Sequence, residues 1–351
     1  MTENTTLDEF DDIIDNLIQS AERYYNPILV VLGLLGNCIS MYVFLGTKLR
    51  YSSSSIYLGA LAISDSGYLI LGVFAPWLKW MTLDIFNRQG FCQFFMYLGY
   101  FCIFLSVWLV VAFTVERYIA VKWPLRRRFL CTVVRAKMTV MGLMALAILL
   151  NSPILFFSKL NKTNKNSTSC GLTDEYLKSW YPTFNIFDTI LTFIVPLTMI
   201  VIFNTLIARN IYKLDNVRRT LTIESDVSND RTYTSRDRMP QTKVTKMLLV
   251  VSTAFFCLNM PSVVTRILSL SFIFIYTQRE ILWLRRAQHI SQLLFSTSFG
   301  INFILYCVSG QNFRREIVRM CGKRSSTERS GTLMQMTSHE KQCDRHLITR
   351  L

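Results

Sequence analysis

The chain has 351 residues, 51% of them hydrophobic and only 17% charged, against roughly 25% charged in soluble domains. Its net charge of +15 comes in blocks between long uncharged runs, which excludes a soluble enzyme and a disordered chain. No zinc-finger spacing or RNA-binding signature accompanies the basic blocks, so nucleic acid is excluded as the partner.

Residues 27–47, 89–115, 138–158, 247–265 and 287–313 contain no Asp, Glu, Lys or Arg. Residues 51–78 contain only Asp65, and residues 179–208 only Asp188. Each run meets the length of about 20 residues that a helix needs to cross a bilayer. The predicted fold class is an all-α membrane protein, a seven-transmembrane helix bundle. In chain order it has an acidic extracellular tail over 1–26 and helices near 27–48, 54–81, 89–122, 136–158, 180–213, 241–274 and 283–309. Gly310 ends the seventh helix. A short amphipathic eighth helix follows on the membrane surface within 310–321, and a disordered cytoplasmic tail over 322–351. Pro76, Pro153, Pro196 and Pro261 lie in or near these helices, where each removes a backbone donor and invites a kink that opens internal space. The polar stretch 214–240 reads as a mobile cytosolic loop. An odd helix count disfavours two equal repeat halves.

Placing the loops alternately, with the N-terminus outside, puts 27 of the 38 Lys and Arg on the inner side and 11 on the outer. That is the positive-inside bias, and a basic inner face suits anionic lipid. The glycosylation acceptors Asn4-Thr5-Thr6, Asn161-Lys162-Thr163 and Asn166-Ser167-Thr168 all fall in outer segments. The first 25 residues lack the signal-peptide pattern, so the first helix serves as the targeting signal. Of nine cysteines, only Cys92 and Cys170 fall outside, where oxidation is possible. A disulfide between them would pin the second outer loop over the bundle. Cys321, near Arg314, Arg315 and Arg319, is placed for palmitoylation.

Glu116-Arg117-Tyr118 closes the inner end of the third helix. A charge at that depth costs about 2.5–3.5 kcal/mol on insertion scales unless paired, and an arginine released from its acid can reach a cytosolic partner. The pair is a helix-end anchor or a switch. Further motifs follow a fixed order: Gly36-Asn37 in the first helix, Leu61-Ala62-Ile63-Ser64-Asp65 in the second, Cys92 and Pro124-Leu125 around the third. Pro196 lies in the fifth, Phe255 and Pro261 in the sixth, and Asn302-Phe303-Ile304-Leu305-Tyr306 in the seventh. On these residues, over about 25–321, the chain resembles the rhodopsin-like (class A) G-protein-coupled receptors.

It departs from that pattern at several points. Leu143 or Met144 replaces the fourth-helix tryptophan. Asn259 stands at the sixth-helix toggle tryptophan, in Leu258-Asn259-Met260-Pro261. Phe303 replaces the seventh-helix proline, Asn204 a fifth-helix tyrosine, and Gln241 the acid that locks the arginine. The resting state is then held by different contacts. With these departures the chain resembles invertebrate neuropeptide receptors of the FMRFamide- and myosuppressin-like kind.

The resemblance implies an allosteric sodium ion at Asp65, with Asn37, Ser106, Ser298 and Asn302 as hard oxygen donors and Asp65 as the metal-binding carboxylate. It implies a ligand pocket between the outer halves of the helices. Gly99 stands where amine receptors carry an aspartate, and residues 287–313 lack the lysine a retinal pigment needs. The remaining pocket residues are Asp188, Arg266, His289, Gln292, Tyr100 and Trp77. Asp188 can pair a ligand cation and Arg266 a ligand carbonyl or carboxylate, or the two neutralise each other. Val107, Pro196 and Phe255 would couple this pocket to the inner face. There Glu116, Arg117, Tyr118, Leu125 and Tyr306 would switch and engage a heterotrimeric G protein. Ser325, Ser326, Thr327, Ser330 and Thr332 are sites for phosphorylation and shut-off, with arrestin as the further partner. Thr349-Arg350-Leu351 fits a PDZ-type terminus. His289, His339 and His346 form no metal-ligand cluster and no nucleophile or phosphate-loop motif occurs, so no enzyme is expected. The expected protein is a plasma-membrane receptor for a short amidated peptide. The alternatives are a receptor for a small molecule or lipid, and a transporter or channel.

Overall fold

A computed structural model describes residues 2–81, 85–163, 167–172, 181–225, 239–272 and 278–320. Only the backbone is described at 2–10, 161–163, 167–169, 172, 181–182, 214–225, 239–248, 270–272 and 278–281. The helices are α1 (Thr2–Met41, extended by a π-turn Tyr42–Gly46), α2 (Ser53–Tyr68), α3 (Phe91–Lys122) and α4 (Val133–Asn151). After these come α5 (Val195–Ser225), α6 (Met239–Phe272) and α7 (Gln278–Gly300), which continues as Asn302–Ser309. Among the described residues, six helices are long and apolar enough to span a membrane, and Leu282–Gly300 with Asn302–Ser309, bent by 53°, makes a seventh when counted as one broken span. Residues 311–320 form α8. An antiparallel hairpin of β1 (Ser158–Thr163) and β2 (Ser167–Leu172) is the one addition to the all-helical expectation among the described residues.

α3 is the central strut, packed on α2, α4 and α5. Leu105, Val107, Leu109, Val110 and Phe113 of α3 are buried in one core with Leu61, Leu69, Ile200, Phe255 and Phe299. The outward faces of α1 and α4 carry exposed Val31, Leu32, Leu35, Met141, Ile148 and Leu149, as lipid-facing helices do. Two of the prolines follow π-turns, whereas Pro261 lies inside the continuous helix α6. Leu69–Phe74 precedes Pro76 and Thr189–Ile194 precedes Pro196. A proline ring clashes with the carbonyl four residues back, and a widened turn at that point relieves the clash without ending the helix. Tyr181–Asp188, the π-turn and α5 thus run on without a gap. Pro153 instead stands at the end of α4, between Asn151 and a one-turn helix Ile154–Phe157.

The bend in α7 needs no proline. A Cβ on Gly300 would stand 2.8 Å from Leu29, and one on Gly33 3.0 Å from the Gly300 Cα. Asn37 Nδ2 donates to the Phe299 carbonyl at 3.0 Å, supplying a partner at the break. Gly36 leaves the room that Phe303 takes, since a Cβ there would lie 2.7 Å from the Phe303 Cβ.

The first helix begins earlier than the expected residue 27: α1 runs helical from Thr2 straight through Pro27, so the acidic segment is itself helical. The loop expected at 214–240 is shortened from both sides, because α5 reaches Ser225 and α6 starts at Met239.

Candidate functional site: polar clusters along the bundle

The Cys92–Cys170 disulfide joins the start of α3 to β2, so the hairpin is fixed at one end of the bundle. At this disulfide end, Arg266 Nη1 of α6 donates to Asp188 Oδ2 at 2.7 Å. Thr192 Oγ1, inside the π-turn, donates to the other oxygen of Asp188 at 2.8 Å. Asp188 is 7% exposed and the Arg266 side chain 28%, with the guanidinium 5.0 Å from the Phe193 ring centre. The structure therefore favours mutual neutralisation for these two groups. Trp108 of α3 donates its indole N–H to the Leu191 carbonyl in the same π-turn, fixing the turn to the central strut.

Other expected pocket residues are tied to the neighbours of α7 and α1. Gln292 Nε2 donates to the Tyr68 hydroxyl at 2.9 Å, and Tyr68 also meets Ser296 at 3.3 Å. His289 Nδ1 pairs with Glu22 at 2.6 Å, and Trp77 donates to the Arg23 carbonyl at 2.9 Å. Tyr100 is half-buried on α3. Arg286, absent from the sequence reading, is buried between Asp11 and Asp15 at 2.6 and 2.7 Å. These ion pairs hold the acidic segment of α1 against α7. They join groups about 270 positions apart, and the local sequence carries no signal of them.

The middle cluster centres on Asp65, which is buried. Ser106 Oγ donates to Oδ1 and Asn302 Nδ2 to Oδ2, both at 2.7 Å. Asn37 and Ser298 do not bond to Asp65; Asn37 turns to the Phe299 carbonyl and Ser298 to the Phe295 carbonyl. Asn37 Oδ1 and Ser40 Oγ of α1 are buried acceptors with no partner among the described residues. Asn259, at the toggle position, donates to the Phe255 carbonyl and leaves its own Oδ1 buried and unpaired.

The far end of α3 carries Glu116 and Arg117, both buried. Arg117 Nη2 lies 3.3 Å from Glu116 Oε1. Ser53 and Ser54, at the start of α2, each donate to that same oxygen at 2.9 Å. Sequence reasoning missed both serines, because a run over 52–55 reads as a helix-capping cluster. α6 offers Arg117 no acid: residues 239–272 contain no Asp or Glu. Instead Ser252 of α6 shares two hydrogen bonds with Asn204 of α5, at 2.8 and 3.1 Å. Tyr118 packs on Phe203, and Tyr306 is buried between Phe44 and Phe313 of α8. Val107, Pro196 and Phe255 are buried between the ends. Leu125 is 88% exposed in the loop after α3, beside exposed Phe129. Asn166, Cys321 and the tail beyond lie outside the described residues, as do the side chains of Asn4 and Asn161.

A buried carboxylate midway between a disulfide-capped end and a Glu-Arg-Tyr end is an arrangement of receptors, and the comparisons agree. Residues 36–306 match the family described as 7 transmembrane receptor (rhodopsin family). The chain belongs to this family. This rhodopsin-family receptor is 29% identical over 332 residues to the thyrotropin-releasing hormone receptor of Gallus gallus, covering 86% of this chain and 80% of the relative. It is 26% identical over 310 residues to growth hormone secretagogue receptor type 1 of Mus musculus, with shares of 86% and 80%. It is 28% identical over 348 residues to the FMRFamide receptor of Drosophila melanogaster, with shares of 88% and 58%. Receptors of this family are not enzymes, and this one is a multi-pass membrane protein.

Proposed function

We propose that the protein is a plasma-membrane receptor for a short, amidated peptide, with its N-terminus outside, that activates a heterotrimeric G protein. The observation that carries this reading is the Asp188–Arg266 pair at the disulfide end. It presents one acid, at the end of Tyr181–Asp188, and one base on α6, where a ligand with a cationic side chain and an amide carbonyl can exchange with each partner. Gly99 gives an amine ligand no carboxylate, which favours the peptide. The named relatives respond to peptide signals, in keeping with that choice.

Ligand binding shifts the receptor only as far as it favours one arrangement over another. Exchange at Asp188–Arg266 changes how α6 lies on α5, and Phe255, Pro196 and Val107 transmit this through packed core. At the far end, Arg117 released from Glu116 meets the G protein beside Leu125 and the basic residues 126–128. Basic residues there also face anionic lipid, Cys321 anchors α8 when palmitoylated, and arrestin recognises the phosphorylated tail. Asn4, Asn161 and Asn166 carry glycans. Asp65 and Ser106 supply hard oxygens for a sodium ion, and the orphaned Asn37 Oδ1 is a further acceptor of the right kind. The ion would supply a fixed positive charge beside Asp65.

A neuropeptide-library screen with calcium and cyclic-AMP readouts in transfected cells tests the proposal. The active peptide should lose potency about tenfold or more on Asp188→Ala, with surface expression unchanged. Equal potency removes Asp188 from the site, and responses only to small molecules or lipids remove the peptide.

A further inference from the structure

We infer that Ser53 and Ser54 are positioning residues that anchor the Glu116 carboxylate to α2, so that Arg117 can leave it for the G protein without stranding a buried charge. The inference rests on the proposed role of Arg117 in coupling. Three donors converge on Glu116 Oε1, and the two hydroxyls are closer, at 2.9 Å each, than the guanidinium at 3.3 Å. Ser53 and Ser54 are nearly sealed from solvent, at 6% and 5% exposure. Their hydroxyls bond to an ionised acceptor with no bulk water to compete, which is the strong class of hydrogen bond.

The pair is lopsided. Glu116 is well satisfied before Arg117 is counted. Arg117 is not: its Nε is buried without a partner among the described residues, and Glu116 is its one ion-pair partner there. A buried polar group without a partner is costly. The guanidinium therefore gains partners by leaving, while the carboxylate keeps two. Breaking a buried ion pair is expensive mainly because one charge is left uncompensated. Here the serines remove that penalty on the acid side. The Cys131 thiol adds a contact to the Glu116 backbone carbonyl at 3.8 Å, so the acid is also held at its main chain. No carboxylate of α6 takes part, since that helix has none. Control of Arg117 thus comes from α2.

The test needs no ligand. The full chain in lipid nanodiscs is titrated with nucleotide-free heterotrimers of each major G-protein class, and the tightest binder is kept. Ser53→Ala/Ser54→Ala should weaken binding about tenfold, because Glu116 then depends on Arg117 alone. Ser53→Thr/Ser54→Thr, which keeps both hydroxyls, should restore it. Glu116→Gln should tighten binding, and in that background the serine substitutions should change nothing, because no carboxylate remains to be stranded. Unchanged or tighter binding by the double alanine variant overturns the inference. So does an equal effect of the serine substitutions with and without Glu116→Gln, which would mark a merely structural role. If Glu116→Gln tightens binding while the double alanine variant is neutral, the coupling reading stands and only the serine inference falls. If no heterotrimer binds the unaltered chain, both fall.

Discussion

The Asp188–Arg266 pair predicts an asymmetry between two alanine substitutions that a symmetric salt bridge would not show. Arg266→Ala leaves a carboxylate that is 7% exposed, with the Thr192 hydroxyl, 2.8 Å away, as its remaining side-chain partner among the described residues. Removing one partner of a buried pair costs about 3–5 kcal/mol. Asp188→Ala leaves a guanidinium whose side chain is 28% exposed and lies 5.0 Å from the Phe193 ring centre. A long side chain can turn its head to water while its stem stays packed, so that loss is about 1 kcal/mol. The double variant strands no carboxylate and should fall near the milder single one, a non-additivity of about 3–5 kcal/mol. Against the total stability of a folded protein, a loss of several kcal/mol lowers cell-surface abundance several-fold. Surface staining should therefore leave Asp188→Ala and the double variant near wild type, with Arg266→Ala lowest, and the thermal half-life of detergent-solubilised receptor should place the first two together just below wild type. If Asp188→Ala ranks below Arg266→Ala, or the double variant is worse than either, the burial argument is wrong.

Two further outcomes follow from packing and from the middle cluster. Gly36→Ala puts a Cβ 2.7 Å from the Phe303 Cβ, an overpacking that should cost about 1–3 kcal/mol. Gly36→Ala/Phe303→Ala should regain part of it in the same half-life assay, and additive losses would refute the contact. Replacing sodium by a large organic cation should raise the affinity of the screened peptide, and Asp65→Asn should abolish that difference. An affinity indifferent to sodium removes the ion from Asp65.

Much of the bundle was legible because hydrocarbon selects for composition. The uncharged runs predicted helices over 54–81 and 89–122, close to the spans Ser53–Met81 and Phe91–Lys122. Where polar pairing decides, the sequence was silent. Acids of the first 22 residues look like a solvated tail until Arg286 and His289 are seen beside them. The seventh helix bends without proline because Gly33, Gly300 and Asn37 meet at the break, three residues from two helices. At the site, Asp65 with Ser106 and Asn302 was readable from motif order. Asn37 and Ser298 were not readable in the same way, since backbone carbonyls at the bend compete for their donors. The anchoring of Glu116 by Ser53 and Ser54 needed the register of α2 against α3.

The most direct test of a seven-span receptor that carries a signal from outside to inside is the side of each terminus. Epitopes placed before Met1 and after Leu351 are stained in intact and in permeabilised cells. The amino-terminal epitope should be bright on intact cells, and the carboxyl-terminal one only after permeabilisation. Both epitopes on one side, or the two reversed, would contradict it.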